Sequence, residues 1–327
     1  MINFQYVRAS TVKEAIGTLA KAGDGQFIAG GTNLVDLMKR GVTAPQKLID
    51  INNLPLKDVK SDKTSITIGA LALNSDVSEN ELIIKQQPLL SMALKSGASP
   101  QLRNMATVGG NMMQRTRCPY FYDTAMPCNK RKPGSGCGAI GGYNRMHAIF
   151  GTSNQCIAVH PSDMCVALTA LEATVTVSGP KGSRKIPFGD FHKLPGQNPE
   201  KDNILQKGEL IESVSIPEND FAKNSYYLKL RDRASYAFAL VSVAAALSLD
   251  GQTIKACRLA MGGVAHKPWR LSEAEKFLAG KKASAENFEQ AAKLSMAGAK
   301  SFGYNDFKLK MAPAAIVEAL SKASGLS

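Results

Sequence analysis

"FIAGGTNLVDLMKRG", residues 27–41, changes character twice within a few turns of chain. Phe27, Ile28 and Ala29 form a short apolar run that reads as a strand, and Gly30-Gly31-Thr32-Asn33 reads as a turn. Leu34 to Arg40 has helical apolar spacing, with Gly41 placed as a C-cap. A glycine turn between strand and helix leaves backbone N–H groups uncovered near the positive end of the helix dipole, which suits a diphosphate. Thr32 and Asn33 can add side-chain hydrogen bonds. A plain tight turn is the alternative, and Gly-Gly alone does not separate the two. The segment fits neither G-x-G-x-x-G nor G-x-x-x-x-G-K-[ST], so a nicotinamide or ATP site has no support here.

Working outward, Thr11 and Glu14 make a capping box, after which Val12, Ala15, Ile16 and Leu19 share one helix face. "KLIDIN" (47–52) and "SITIGAL" (65–71) read as strands, and Leu82 to Ser96 as a helix interrupted near Pro88. A second glycine turn, "ATVGGN" (106–111), follows. "MCVALTALEATVTVSG" (164–179) reads as a helix running into a strand, and "ELIESVSIP" (209–217) as a strand. In the last hundred residues "SYYLKLRDR", "ALVSVAAALSL" and "ACRLAMGGVAHKPWR" predict strands, and helical periodicity takes over at Glu273–Leu278, Glu286–Ala299 and Ala312–Leu320. There is no internal repeat.

At 327 residues the chain can hold two or three structural units. Forty Lys+Arg against 27 Asp+Glu give a net charge of +13, which could attract an acidic partner. The lysines are scattered, however, so nucleic-acid binding is not expected. No stretch approaches the roughly 20 apolar residues of a membrane span, and "MINFQYVRAS" lacks the pattern of a secretory signal. A soluble protein with no membrane partner is expected.

"RCPYFYDTAMPCNKRKPGSGC", residues 117–137, has neither helical nor strand period, and its dense basic run spans Lys130 to Lys132. Four of the six cysteines, Cys118, Cys128, Cys137 and Cys156, fall between the second glycine turn and Ser162, with 9, 8 and 18 residues between them. Disulfides would need an oxidising compartment, and zinc usually shows a C-x2-4-C knuckle. An iron–sulfur cluster needs four convergent thiolates and tolerates loop-derived spacing. Cys165, in a helical apolar pattern, and Cys257, in a strand, read as core residues. His147, His160, His192 and His266 are isolated in sequence, and no Ser/His/Asp or paired-carboxylate constellation suggests itself; no catalytic residue is expected in the chain.

Taken together and in order, "FIAGGTNLVDLMKRG", "LRNMATVGGN", "HPSDMCVALTALEA", "GELIESVSIP", "KLRDRASYAFALVSVAAAL" and "MGGVAHKPWR" with "EAEKFLAG" resemble the FAD-binding medium subunit of molybdenum hydroxylases of the xanthine oxidase family. The resemblance covers nearly the whole chain. It implies an α+β protein: a two-subdomain FAD-binding fold (PCMH/vanillyl-alcohol-oxidase-like), subdomain 1 at residues 1–55 and subdomain 2 at 56–218. A small C-terminal α+β domain of the CO dehydrogenase flavoprotein type would follow at 219–327. Carried over by motif, Ile28, Ala29, Gly30, Gly31, Thr32, Asn33 and Leu34 would cradle the FAD diphosphate. Thr107, Gly110, Asn111 and Gln114 would form the second wall, and Ser162 and Asp163 would hydrogen-bond the cofactor. Ile211 would pack near the flavin ring, and Lys229 would stand where a cation can stabilise charge on a reduced flavin.

In that family the second glycine turn leads within a few residues to the Ser-Asp pair. Here fifty residues separate Asn111 from Ser162, so an insertion is placed at about 115–157. It is similar to that of the FAD subunits of bacterial periplasmic aldehyde oxidoreductases, through "QRTRCPYFYDT", "PCNKR", "PGSGC" and "HPSDM". This resemblance implies a [4Fe–4S] cluster on Cys118, Cys128, Cys137 and Cys156, with Arg115, Arg117, Lys130 and Arg131 offsetting its charge or meeting a partner. The implied function is electron transfer in a heterotrimeric molybdenum-dependent aldehyde oxidoreductase. A large molybdenum-cofactor subunit would oxidise aldehydes to carboxylic acids, and a small [2Fe–2S] subunit would pass electrons to FAD and an external acceptor. The implied location is the periplasm, reached by co-export with a signal-bearing partner, the cytoplasm being the alternative. Two other readings stand beside it: a subunit like that of 4-hydroxybenzoyl-CoA reductase, and a zinc-stabilised basic binding protein with no redox role.

Overall fold

A computed structural model describes residues 1–326 and shows an α+β chain built on three sheets. The first comprises β1 (Gln5–Arg8), α1 (Val12–Lys21), β2 (Gly25–Ile28), α2 (Leu34–Lys39) and β3 (Lys47–Asp50), with the strands parallel in the order β1-β3-β2. Parallel neighbours need crossovers, which α1 and α2 help to supply. Thr11 Oγ1 accepts from the Glu14 N–H at 3.1 Å. The Glu14 carboxylate, however, takes the N–H and hydroxyl of Ser10 at 2.8 and 2.7 Å, one residue before the cap. Ala15, Ile16 and Leu19 then face Ile49 and Ile51 in one core.

The second part comprises β4 (Val59–Ser61), β5 (Ser65–Gly69), α3 (Asn74–Glu79), α4 (Glu81–Gln86), α5 (Pro88–Ser96), α6 (Pro100–Arg103), α7 (Val108–Met112), α8 (Pro119–Tyr122) and α9 (Asp163–Ala170). It continues through β6 (Thr174–Gly179), β7 (Gly182–Pro187), α10 (Phe188–Phe191) and β8 (Leu210–Pro217). Its strands pair antiparallel in the order β4-β5-β8-β6-β7. Pro88 opens α5 at its first position, where no intrahelical N–H is missed, and this divides α4 from α5. The second glycine turn is a short helix, because Thr107 Oγ1 accepts from the Gly110 N–H and caps it. All eight residues of α9 are buried, as expected of a helix that is apolar nearly all round.

The third part comprises β9 (Ser225–Leu230), β10 (Val241–Asp250), β11 (Thr253–Gly262), β12 (Trp269–Arg270), α11 (Ser272–Leu278), α12 (Ala285–Ser295) and α13 (Lys308–Ser324). Its antiparallel sheet has the order β12-β11-β10-β9. Both α13 and α9 pack against β10. Burial on both faces explains why "VSVAAAL" is apolar without alternation. Among the described residues no helix is long and apolar enough to cross a membrane.

Candidate functional site

The first glycine turn lies at the carboxyl end of β2, the edge at which parallel strands with crossover helices present ligands. There it forms one wall of a cleft of about 520 Å³, within the range of cofactor sites. Ile28 to Leu34 all line it, and so do Thr107, Gly110, Gln114 and Ile211 from the second part of the chain. The N–H groups of Gly30, Gly31, Thr32 and Asn33 donate to no backbone carbonyl among the described residues. Four donors without acceptors beside a cleft are what an anionic group requires. Gly31 has φ +71°, a conformation that favours glycine. Gly30 has a different reason to be glycine: a Cβ there would lie 1.8 Å from the Met105 carbonyl oxygen. Its close approach is therefore to the loop before Thr107, and it holds the two glycine segments together.

The remaining motif residues stand elsewhere. Asn111 is outside the cleft lining; its Oδ1 accepts from the Ser162 hydroxyl and from Gln114 Nε2, the latter at 3.0 Å. Ser162 caps α9 by accepting the Cys165 N–H at 3.1 Å. Ser162 and Asp163 line a second, smaller cavity of about 120 Å³ together with Arg117, Cys118, His147 and Phe238. Asp163 accepts from the Tyr227 hydroxyl and from Lys229 Nζ, both at 2.8 Å. The Lys229 and Asp163 side chains are only 3% and 7% exposed, so each neutralises a charge the other could not keep alone. Burial, with Asp163 alongside, drives the Tyr227 hydroxyl well above its ordinary range.

The cysteine segment is folded around its thiols. Residues 127–138 double back through Asn129 N–H to Gly136 O at 2.7 Å and Gly138 N–H to Pro127 O at 3.0 Å, bringing Cys128 opposite Cys137. Gly134 and Gly136, at φ +83° and +93°, make the turn. Cys118, Cys128, Cys137 and Cys156 line one small void, and all six cysteines are free thiols. Among the described residues no three of these four sulfurs lie within 4.8 Å of one another. A tetrahedral zinc, with Zn–S near 2.3 Å, would hold its sulfurs about 3.8 Å apart, and the four thiols as a set are not gathered that closely. Backbone N–H groups of Tyr120 and Phe121 point at Cys118, those of Ala139, Ile140 and Ile157 at Cys137, and that of Ala158 at Cys156. Such donors favour anionic sulfur. With protons in place, burial pushes the Cys118 thiol up to about 12. Cys137 and Cys156 lie together, so that one thiol is held down and the other driven up, Cys137 being the lowered one.

Void and cleft are neighbours. Gln114 lines one and Cys118 the other, four residues apart and hence at most about 14 Å between Cα atoms. Arg115 N–H donates to Asn33 Oδ1 at 2.9 Å, which ties this stretch to the first glycine turn. Arg115 Nε also donates to Asp202 at 2.7 Å, and the buried Lys130 ammonium binds the same carboxylate. Burial alone would raise Asp202, but Lys130 and Arg115 outweigh it and hold the carboxyl down to about 2. The 199–203 segment carried no motif, and nothing in its sequence marked Asp202.

Isolation in sequence does not keep the histidines apart. His160 and His192 have ring centroids 4.3 Å apart, and both are pushed down by burial, His192 to about 4. With Cys165 they form a buried trio whose ligand-type atoms lie within 4.8 Å of one another. His147 Nε2 sits 3.1 Å from Cys118 Sγ. Burial, then Lys308, lowers His147 to about 4. Cys165 and Cys257 are buried in α9 and β11.

Comparisons with known proteins agree with this geometry. Residues 2–219 match the family described as the FAD binding domain in molybdopterin dehydrogenase, and residues 225–322 the CO dehydrogenase flavoprotein C-terminal domain. The chain is 46% identical over 322 residues to the aldehyde oxidoreductase FAD-binding subunit PaoB of Escherichia coli (strain K12), covering 98% of each. It is 32% identical over 280 residues to the glyceraldehyde dehydrogenase medium chain of Sulfolobus acidocaldarius, covering 85% of this chain and 82% of that one. Its fold superposes on a chain of carbon monoxide dehydrogenase from Hydrogenophaga pseudoflava with a TM-score of 0.78 at 26% identity, covering 100% of this chain and 99% of the other. With a flavin-domain match over most of its length and a relative at 46% identity, the chain belongs to the FAD-binding medium subunits of the molybdenum hydroxylases.

Proposed function

We propose that this protein carries FAD and a [4Fe–4S] cluster as the electron-transfer subunit of a molybdenum-dependent aldehyde oxidoreductase. The observation that carries the cluster is the convergence of four free thiols from one irregular segment on one void, beside the cleft and not gathered as a single zinc would hold them. The aldehyde reading rests on the two relatives, an aldehyde oxidoreductase subunit and a glyceraldehyde dehydrogenase medium chain. Bound here, the flavin supplies two-electron and the cluster one-electron exchange.

The chain's own residues would supply the rest. Gly30 to Asn33 offer their free N–H groups to the diphosphate, Thr107, Gly110 and Gln114 close the opposite side, and Ile211 gives an apolar surface. Asn111 braces Ser162. By motif Ser162 and Asp163, which line the smaller cavity, are assigned to hydrogen bonds with the cofactor, and Lys229, paired with Asp163, to the neighbourhood of the flavin ring. Cys118, Cys128, Cys137 and Cys156 hold the cluster. A large molybdenum-cofactor subunit and a small [2Fe–2S] subunit complete the assembly, and the proposed address is the periplasm, reached folded together with the small partner. Visible absorption and iron analysis of the purified protein test the reading: flavin bands with a broad iron–sulfur shoulder and about four iron atoms per chain are expected. A flavin-only or zinc-loaded protein overturns the cluster.

A further inference from the structure

We infer that His147 is a positioning residue for the cluster: it donates an N–H···S hydrogen bond to Cys118 and thereby raises the cluster's reduction potential. This rests on the reading of Cys118 as a cluster ligand. The ring is buried, with Nε2 3.1 Å from Cys118 Sγ and no hydrogen-bond partner at Nδ1. The one acceptor available to a ring proton is therefore the sulfur, and a buried N–H left without an acceptor is costly. The tautomer protonated at Nε2 follows.

The backbone that aims the ring is held from both sides. His147 N–H donates to Asn144 O at 3.0 Å. Its carbonyl accepts from Lys308 Nζ at 2.9 Å and from Asn305 Nδ2 at 3.3 Å. Lys308 and Asn305 are wholly buried, and Lys308 also donates to Gly263 O at 2.7 Å. The C-terminal part of the chain thus fixes a ring that belongs to the cysteine segment. Cys137 and Cys156 receive backbone N–H groups, whereas Cys118 has in addition a side-chain donor that substitution can remove.

A donor to a ligating sulfur stabilises the more negative, reduced cluster, so hydrogen bonding to the sulfurs is one of the settings of its potential. His147 lines the smaller cavity with Ser162 and Asp163 and stands outside the glycine-turn cleft, and its ring's hydrogen bond is to Cys118.

The test is an anaerobic redox titration, followed by electron paramagnetic resonance, of the holoprotein purified with its partner subunits. Wild type, His147→Leu and His147→Gln are compared, with iron per chain measured for each. A lower [4Fe–4S] potential in His147→Leu, restored toward wild type in His147→Gln, whose amide can donate again, is the expected result. An unchanged potential in His147→Leu overturns the inference and leaves the cluster reading intact; absence of the cluster signal from wild type overturns the cluster reading itself. Where His147→Leu loses its iron, His147→Gln decides: a cluster near the wild-type potential supports the inference, and loss of iron or an equally altered potential shows a structural role and overturns it.

Discussion

The Lys130 ammonium, buried two residues beyond Cys128, is bound to Asp202, a residue of the cleft wall. Arg115, between cleft and cysteines, donates to the same carboxylate. One acid therefore ties the segment that carries the thiols to the wall that faces the cofactor.

Asp202 should make the protein acid-sensitive in a defined window. Its carboxyl is held to about 2 against an ordinary 3.8, so the stabilisation is complete above about pH 4 and is lost as the pH falls toward 2. The shift corresponds to about 2 kcal/mol. Urea unfolding between pH 5 and 2 should show a steeper loss in wild type than in Asp202→Asn; parallel curves would contradict the pairing.

Gly30 and Thr32 should fail differently. Gly30→Val drives a side chain into the Met105 carbonyl, so the melting temperature should fall along with flavin content. Thr32 lines the cleft, and Thr32→Val should leave the melting temperature of the flavin-free protein unchanged. FAD affinity should fall by up to about tenfold, the value of one hydrogen bond. Unaltered FAD affinity in Thr32→Val would remove Thr32 from the binding set.

Cys128→Ser should lose iron and keep FAD. The segment from 113 to 162 contains one four-residue helix among the described residues, and a loop this poor in regular structure relies on what its thiols bind to offset its ordering entropy. Limited proteolysis should cut the variant inside the segment first. Unchanged iron per chain would show that Cys128 is not a ligand.

Lys308 should give a stability rise at alkaline pH. Burial lowers its ammonium to about 7 from an ordinary 10.5, so between these values the unfolded chain binds the additional proton. Stability therefore increases from about pH 7 toward pH 10 through this group. Lys308→Met should flatten that rise in thermal melts of the apoprotein; an unchanged slope would show that the buried amine does not titrate there.

Co-export is tested by cell fractionation. With the small partner's signal deleted, the protein should remain in the cytoplasm with its cofactors, and recovery from the periplasm without that signal would sink the proposed route.

How much of this was legible depended on how far apart in the chain each partner lies. The β2–turn–α2 unit, the Thr11 cap and the break at Pro88 are set by neighbours within one helical turn, through glycine conformation, side-chain capping and the missing proline N–H. The cysteines could be counted and spaced. Their spacing left disulfide, zinc and cluster open, however, because spacing along a loop does not give separation in space. That Gly30 must also lack a Cβ because of the Met105 carbonyl was not legible, since that partner lies 75 residues away in the chain. The histidines looked isolated because His147 and Cys118 are 29 residues apart.

By itself the sequence determined the succession of strands, turns and helices, the ordered motifs that mark the family, and the concentration of thiols in one irregular segment. These follow from local conformational preference and from side-chain chemistry that needs no partner. Only the tertiary structure decided that Asp163 faces Tyr227 and Lys229, that Asp202 joins Lys130 to Arg115, and that Lys308, 161 residues away, holds the carbonyl of His147. A buried charge or donor must be satisfied by whatever the packing brings beside it. That neighbour is fixed by how α9, the cysteine segment and the C-terminal sheet close on one another, and no local stretch of sequence contains it.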